Sequence, residues 1–331
     1  MKKIAINGFG RIGRLVFRQM VKEQDYEVVA INDLTSPATL AHLLKYDTAH
    51  GPFDGSVKAT KDSLIVNGKE IKIYAERDPK NLPWKEIGID GVVESTGFFV
   101  SKEAASAHIE AGAKRVVISA PAKGDLKTIV YSVNERILTS DDQIISAASC
   151  TTNALAPVVH ALNEKLGIVK GFMTTVHAYT GDQGTQDRPH SDLRRARAGA
   201  MNIVPTTTGA AVAVGKVLPE LLGKLDGIAV RVPTITGSLV DLVVELESQD
   251  ATVENINKTI FDAKSSSMAY LTDPIVSSDI IGATHGTLFD SLMTKELMVD
   301  GKKMFKIITW YDNENSYVSQ FVRTLKHFIN L

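Results

Sequence analysis

Ile4-Ala5-Ile6-Asn7-Gly8-Phe9-Gly10-Arg11-Ile12-Gly13 runs from a short apolar stretch into three glycines spaced G-x-G-x-x-G. That spacing alone is a weak signal, and its surroundings decide the reading. Arg11 to Lys22 carries helical apolar spacing at Ile12, Leu15, Val16 and Met20. Val28-Val29-Ala30-Ile31 then reads as a strand that ends in Asn32-Asp33, with Asp33 placed 20 residues after Gly13. Strand, glycine turn, helix, strand and acid in this order form the context a dinucleotide-binding unit requires. Glycines let the backbone approach a pyrophosphate, the helix N-terminus attracts it, and the acid accepts ribose hydroxyls.

Moving outward, Gly91-Val92-Val93-Glu94, Val116-Val117-Ile118-Ser119 and Ile144-Ile145-Ser146 read as further strands, with a helix over Ser101 to Ala111. Such alternation predicts a parallel sheet covered on both faces. Asn67-Gly68, between two apolar runs, predicts one antiparallel hairpin in this half. After residue 150 the pattern changes. Met173 to His177, Ile228 to Val232, Leu239 to Leu246 and Met304 to Trp310 read as longer strands, several alternating polar and apolar, as in an antiparallel sheet with one covered face. Helices are expected at 209–222 and 252–264, and another from Tyr317 to Ile329. The expected architecture is therefore α/β and α+β. A doubly wound, Rossmann-type parallel sheet domain spans 1–149. A mixed, mainly antiparallel sheet domain spans 150–314, and a C-terminal helix, 315–331, returns to the first domain.

The chain has 331 residues, 44% of them hydrophobic, and a formal charge of -1. That length supports two cores, and that charge gives no push toward nucleic acid or a membrane surface. No apolar run approaches the roughly 18 residues of a membrane-spanning helix. Met1-Lys2-Lys3 leads directly into a strand, so a cytosolic chain is expected.

Cys150 is the only cysteine. It has no disulfide partner in the chain and no companions for a cysteine zinc site, so no metal is expected and it is either a buried filler or a nucleophile. Ser149 is a good N-cap for an apolar run reaching Leu166. That places Cys150 in the first turn, where the helix dipole and free N–H groups favour a thiolate. His177 follows 27 residues later among hydroxyl side chains.

With these segments placed, the chain resembles the phosphorylating glyceraldehyde-3-phosphate dehydrogenases from Ile6 to about Tyr317. The resemblance rests on Asn7 to Arg14, Glu94-Ser95-Thr96-Gly97, Ser149 to Asn153, Thr174 to Tyr179, Pro205 to Ala211, Arg231 to Thr234 and Trp310 to Glu314, in that order. It implies NAD as cofactor, glyceraldehyde 3-phosphate and inorganic phosphate as partners, and a homotetramer with the 178–201 loop at an interface. It also implies a route through a cysteine thiohemiacetal and thioester to an acyl phosphate. Cys150 would be the nucleophile and His177 its proton partner. Asn7, Gly8, Phe9, Gly10, Arg11, Ile12, Gly13, Asp33, Arg77, Thr96, Gly97, Ser119, Asn313 and Tyr317 would bind the cofactor. Thr180, Asp182 and Arg231 would surround the substrate phosphate, and Ser149, Thr151, Thr208, Gly209 and Arg197 the attacking phosphate. Phe99 is read as ordinary packing, and Arg194 and Arg195 as a solvated or interface cluster.

Two positions depart from the family pattern. Ala154 stands where a second cysteine is common, and Arg188 where an apolar or small residue is common. By resemblance Arg188 approaches the adenosine ribose of a neighbouring subunit, where it would welcome a 2′-phosphate, while Asp33 would repel one. Erythrose-4-phosphate dehydrogenase shares the same thiol chemistry, and the motifs barely separate the two. Aspartate-semialdehyde dehydrogenase pairs a similar cysteine with NADP, and Asp33 and the Thr208-Gly209 seat argue against it. A non-catalytic cofactor-binding or adhesive role is neither supported nor excluded by the composition.

Overall fold

Three strands that begin the chain's alternation, β1 (Lys2–Asn7), β2 (Tyr26–Asn32) and later β6 (Gly91–Glu94), lie side by side and parallel in a computed structural model that describes all 331 residues. The helix α1 (Arg11–Met20) connects β1 to β2, and α2 (Pro37–Lys45) follows with Ser36 as its N-cap. Next come β3 (Val57–Ala59), β4 (Ser63–Val66) and β5 (Lys69–Tyr74). Asn67 and Gly68 join β4 to β5 at φ 51° and 81°, the left-handed pair a tight hairpin demands. The unit continues through α3 (Trp84–Ile87), β6, α4 (Lys102–Glu110), β7 (Val116–Ile118) and β8 (Ile144–Ser146). Together these give an eight-stranded sheet of order β3-β4-β5-β2-β1-β6-β7-β8, parallel from β5 to β8. The apolar character of Ala5, Ala30, Val92, Val116 and Ile118 explains their burial: strands covered on both faces have no wet side.

This first compact unit comprises Met1–Ile129, Glu135–Ala148 and Phe321–Leu331. Its last segment packs there through Arg115, whose guanidinium lies 4.9 Å from the Phe328 ring centre and donates to the Phe328 carbonyl. Lys326 pairs with Glu23 at 2.6 Å.

The second unit comprises Val130–Asn134 and Ser149–Gln320. Its elements are α5 (Cys150–Leu166), β9 (Ile168–Ala178), β10 (Val204–Thr207), α6 (Ala210–Val217), β11 (Leu225–Val232), β12 (Ser238–Leu246), α7 (Val253–Asp262), β13 (Met268–Leu271), β14 (Thr287–Val299), β15 (Lys302–Tyr311) and α8 (Asn315–Ile329), the last of which runs on into Phe321–Leu331 of the first unit. Seven strands form one sheet, β10-β11-β9-β12-β15-β14-β13, in which only β9–β11 and β13–β14 are parallel. Along β12 buried and half-buried residues alternate without a break, the signature of one covered face. The helix expected at 209–222 stops at Val217, because Pro219 lacks a donor and restricts Leu218 before it. A short 3₁₀ turn, Pro219–Leu221, takes up the remainder. No helix is long and apolar enough to cross a membrane.

Candidate active site

In the first unit β1, β2 and β6 end together at Asn7, Asn32 and Glu94, and a cleft of about 510 Å³ opens over these carboxyl ends. Asn7, Gly8, Gly10, Asp33, Arg77 and Thr96 all line it. Each glycine has its own reason. Gly8 sits at φ +89°, and a Cβ there would come within 2.8 Å of the Ser95–Thr96 backbone. A Cβ on Gly13 would lie 2.1 Å from the Gly8 carbonyl oxygen. Gly10 meets nothing within 4 Å, so any side chain there would stand in the open cleft its backbone lines. Asp33 is held opposite this turn, its two oxygens accepting from the Phe9 N–H at 2.7 Å and the Thr35 N–H at 2.9 Å.

Not every expected side chain faces the cleft. Phe9 is buried edge-on against Phe17, with centroids 5.7 Å apart, so only its backbone is available at the turn. Arg11 and Ile12 open α1, but the Arg11 guanidinium is held by Asp47 and faces His50 Nδ1 at 3.2 Å. Burial opposes the Asp47 charge, yet the hydrogen bonds from His50 and Arg11 outweigh it and hold this carboxyl well below its usual range. Gly97 takes φ +77° in the turn after Thr96, and the Ser119 N–H donates to the Glu94 carbonyl at 2.9 Å. Phe99 packs as expected and has a second exposure. It packs edge-on against His108 and also forms cleft wall beside Phe98, which is 83% exposed.

In the second unit Ser149 caps α5, its Oγ accepting from the Thr152 N–H at 3.1 Å, and Cys150 is the first helical residue. Its Sγ lies 3.4 Å from His177 Nε2. His177 Nδ1 is 2.6 Å from the Ala178 carbonyl oxygen, which can only accept, so Nδ1 carries the proton and Nε2 presents its lone pair to sulfur. Parallel pairing of β9 with β11 sets Arg231 in register with His177. Tyr311, on β15, bonds Thr151 Oγ1 at 2.9 Å and Thr175 Oγ1 at 2.8 Å, and its ring stands edge-on to His177 at 5.9 Å.

Burial penalises either charge alone. It pushes the Cys150 thiol up, against the pull of Arg231, and the His177 imidazolium down to about 3, with Arg231 adding to that fall. Moving the proton along the 3.4 Å contact leaves thiolate facing imidazolium and the pair neutral as a whole. The arrangement therefore suits a thiol that loses its proton to its neighbour as it attacks.

Around this pair lies a cationic cluster. Arg231 donates to Thr180 Oγ1 and, at 3.5 Å, to the Ala178 carbonyl, while its Nε is buried without a partner. The Thr180 hydroxyl in turn donates to Asp182. Burial opposes the Asp182 charge, but Thr180, Arg231 and Arg195 outweigh it and hold the carboxyl below its usual range. The structure gives the two candidate arginines of the loop different partners. Arg197 is drawn to Asp187 at 2.8 Å on an exposed stretch. Arg195 instead reaches Asp182 at 3.1 Å, Thr206 Oγ1 at 2.9 Å and the Thr207 carbonyl at 3.3 Å. Arg188 is tied within its own chain, donating to the Asp182 carbonyl at 2.7 Å. Thr208 and Gly209 stand at the N-terminus of α6, where Thr208 Oγ1 accepts from the Ala210 N–H at 3.2 Å. Asn313 Oδ1 accepts from the Gly237 N–H at 3.1 Å, Ser238 Oγ at 3.0 Å and Thr236 Oγ1 at 3.3 Å, so its Nδ2 is the end turned away from these donors. Tyr317 is buried, and burial, then the Cys150 charge, pushes its phenol well up.

The family model described as "Glyceraldehyde 3-phosphate dehydrogenase, NAD binding domain" matches residues 2–102, and that described as "Glyceraldehyde 3-phosphate dehydrogenase, C-terminal domain" matches residues 149–313. The chain belongs to the glyceraldehyde-3-phosphate dehydrogenase family. Proteins named glyceraldehyde-3-phosphate dehydrogenase from Mycoplasma pneumoniae and Clostridium pasteurianum are 59% and 55% identical to it, over 99% and 100% of this chain and 98% and 99% of their own lengths. One from Clostridium acetobutylicum is also 55% identical over 100% of the chain. Within the glyceraldehyde-3-phosphate dehydrogenase family match, the first segment carries the glycine turn, Asp33 and Thr96, and the second carries Cys150, His177, Arg195, Arg231 and Asn313. Ala154, the residue at the common second-cysteine position, is fully buried in α5, a small side chain in a packed helix face.

Proposed function

We propose that this chain oxidises glyceraldehyde 3-phosphate with NAD and inorganic phosphate, giving 1,3-bisphosphoglycerate, NADH and a proton. The observation that carries the reading is the Cys150–His177 contact of 3.4 Å at a helix N-terminus, with Arg231 in register beside it. An aldehyde gives up hydride readily only after a nucleophile has made its carbon tetrahedral. Cys150 Sγ bonds to that carbon, the carbonyl electron pair moves to oxygen, and the thiol proton passes to His177 Nε2. The Cys150 backbone N–H, free at the helix start, steadies the oxyanion. NAD, when bound, accepts the hydride this adduct releases. His177, carrying the thiol proton, stays paired with the adduct oxyanion until hydride leaves and the C=O bond reforms, leaving a thioester on Cys150. A phosphate oxygen then bonds to the thioester carbon, and the Cys150–carbon bond breaks to return the thiolate.

The first unit's cleft fits the dinucleotide: a glycine turn in which Gly8 and Gly13 leave no room for a Cβ while Gly10 keeps the cleft open, and a carboxylate fixed at its edge. Asp33 would take the adenosine ribose, Arg77 would flank the adenine, and Asn313 Nδ2 would meet the nicotinamide amide with Tyr317 beside the ring. Thr180 and Arg231 would hold the substrate phosphate, with Asp182 orienting the arginine. Ser149, Thr151, Thr208 and Gly209 would hold the attacking phosphate, with Arg195 as the guanidinium that serves it. The Arg231 Nε, buried without a partner, supports an anion there. Thr151 would act while bonded to Tyr311, since one hydroxyl can donate and accept.

Against erythrose 4-phosphate, kcat/KM for glyceraldehyde 3-phosphate is expected to be higher by at least about tenfold, a difference of about 1.4 kcal/mol in transition-state binding. Parity or the reverse order would reassign the substrate. A cytoplasmic homotetramer is part of the same reading, supported by exposed Leu193, Met201 and Ile203 in and after the 178–201 loop. Light scattering at micromolar concentration should give four chains per particle; a single-chain mass would reject this assembly.

A further inference from the structure

Glu94 and His108 are a buried titratable pair to which the reaction assigns no task, and both are almost fully shielded from solvent. The Trp84 indole N–H, which can only donate, lies 3.0 Å from His108 Nδ1. Nδ1 is therefore the acceptor, and the ring proton sits on Nε2, directed at Glu94 Oε2 at 3.0 Å. Asn7 Nδ2 donates to the same oxygen at 2.6 Å, and its 3.2 Å approach to His108 Nε2 is two donors sharing one acceptor. Glu94 Oε1 accepts from the Thr96 N–H at 2.9 Å and from the Thr96 hydroxyl. The ties continue outward in both directions. Thr96 Oγ1 accepts from the Phe98 N–H at 3.1 Å. Asn32 Nδ2 bonds Asn7 Oδ1 at 2.7 Å and the Glu76 carbonyl at 2.9 Å, and Asn32 Oδ1 takes the Glu76 N–H at 2.8 Å.

Every group reached at the far ends of this network, Asn7, Asn32, Glu76, Thr96 and Phe98, lines the cleft beside Asp33 and Arg77. Its root, Trp84 and His108, does not line the cleft. We infer that Trp84 and His108 are positioning residues for the dinucleotide: by fixing the His108 tautomer they fix the Glu94 carboxylate, and through it the cleft rim. Without the Trp84 donor, Nδ1 is free to carry the proton, Nε2 becomes an acceptor facing a carboxylate, and the rim loses its anchor. The effect belongs to binding, because no member of the network touches the reacting thiol or imidazole.

The inference rests on the NAD reading above, and its test separates the two. Calorimetry should be run with NAD and with ADP-ribose, which lacks nicotinamide, on the wild type and on His108→Leu, Trp84→Phe and His108→Gln. His108→Leu and Trp84→Phe should weaken both ligands by the same factor, about 10-fold or more, with kcat at saturating NAD unchanged. His108→Gln, whose amide can still donate to Glu94, should restore most of the affinity. Trp84→Phe keeps the ring bulk, so it carries the test if the leucine variant does not fold. A wild type that binds neither ligand would remove the NAD reading itself. Wild-type binding that is unchanged in Trp84→Phe, or a loss confined to kcat, would overturn the positioning role alone.

Discussion

Cys150→Ser should lower kcat by about 10³-fold or more. The hydroxyl would sit at the same helix start, 3.4 Å from a base in the wild-type geometry. An alkoxide, however, is far harder to generate at neutral pH than a thiolate, so the imidazole that takes the thiol proton cannot make the serine hydroxyl comparably reactive. Steady-state NADH formation measures this directly. Since Cys150 is the sole cysteine, one equivalent of a thiol alkylator should abolish the same activity. Near-wild-type turnover in the serine variant would exclude covalent catalysis through this residue.

His177→Asn should lower kcat by roughly 10²- to 10⁴-fold, the range typical of a general base. Asparagine is a fair probe because its amide can still donate toward the Ala178 carbonyl that holds the wild-type ring, while nothing replaces Nε2 beside the sulfur. Reactivity of the thiol gives a second readout. Burial raises the Cys150 pKa, and a raised thiol pKa means that thiolate is lost as pH falls through it. With no imidazole to take the proton, alkylation by iodoacetamide at pH 7 should slow at least about tenfold, and its rise with pH should move to higher pH. An unchanged pH profile would show that His177 does not receive the thiol proton.

How far these residues could be read from the chain differs by the kind of constraint. Gly8 and Gly13 were legible because the demand is local: a left-handed φ at one, a carbonyl at 2.1 Å from the absent Cβ at the other. The N-cap at Ser149 and the hairpin at Asn67-Gly68 are local in the same way. Strand β14 was not anticipated, since Leu292-Met293-Thr294-Lys295-Glu296-Leu297-Met298 is rich in helix formers. Antiparallel pairing with β15 across the Asp300-Gly301 turn overrides that preference. Tyr311 bridges threonines 160 and 136 residues away, contacts that no periodicity encodes. Arg195 and Arg197 are alike in type and two positions apart; the placement of Asp187 and Thr206 decides which one joins Asp182. Phe98 and Phe99 line the cleft, and the only mark they leave in the sequence is two consecutive aromatics directly after Gly97.

The central claim is that Cys150 carries the acyl group between oxidation and phosphate attack. Mixing the enzyme with glyceraldehyde 3-phosphate and NAD in phosphate-free buffer, and following NADH in the first turnovers, tests it most directly. The account predicts a burst of about one NADH per chain, then near arrest, an acyl adduct on the Cys150 peptide by mass spectrometry, and resumed turnover on adding phosphate. Steady NADH production without phosphate, with Cys150 unmodified throughout, would contradict it.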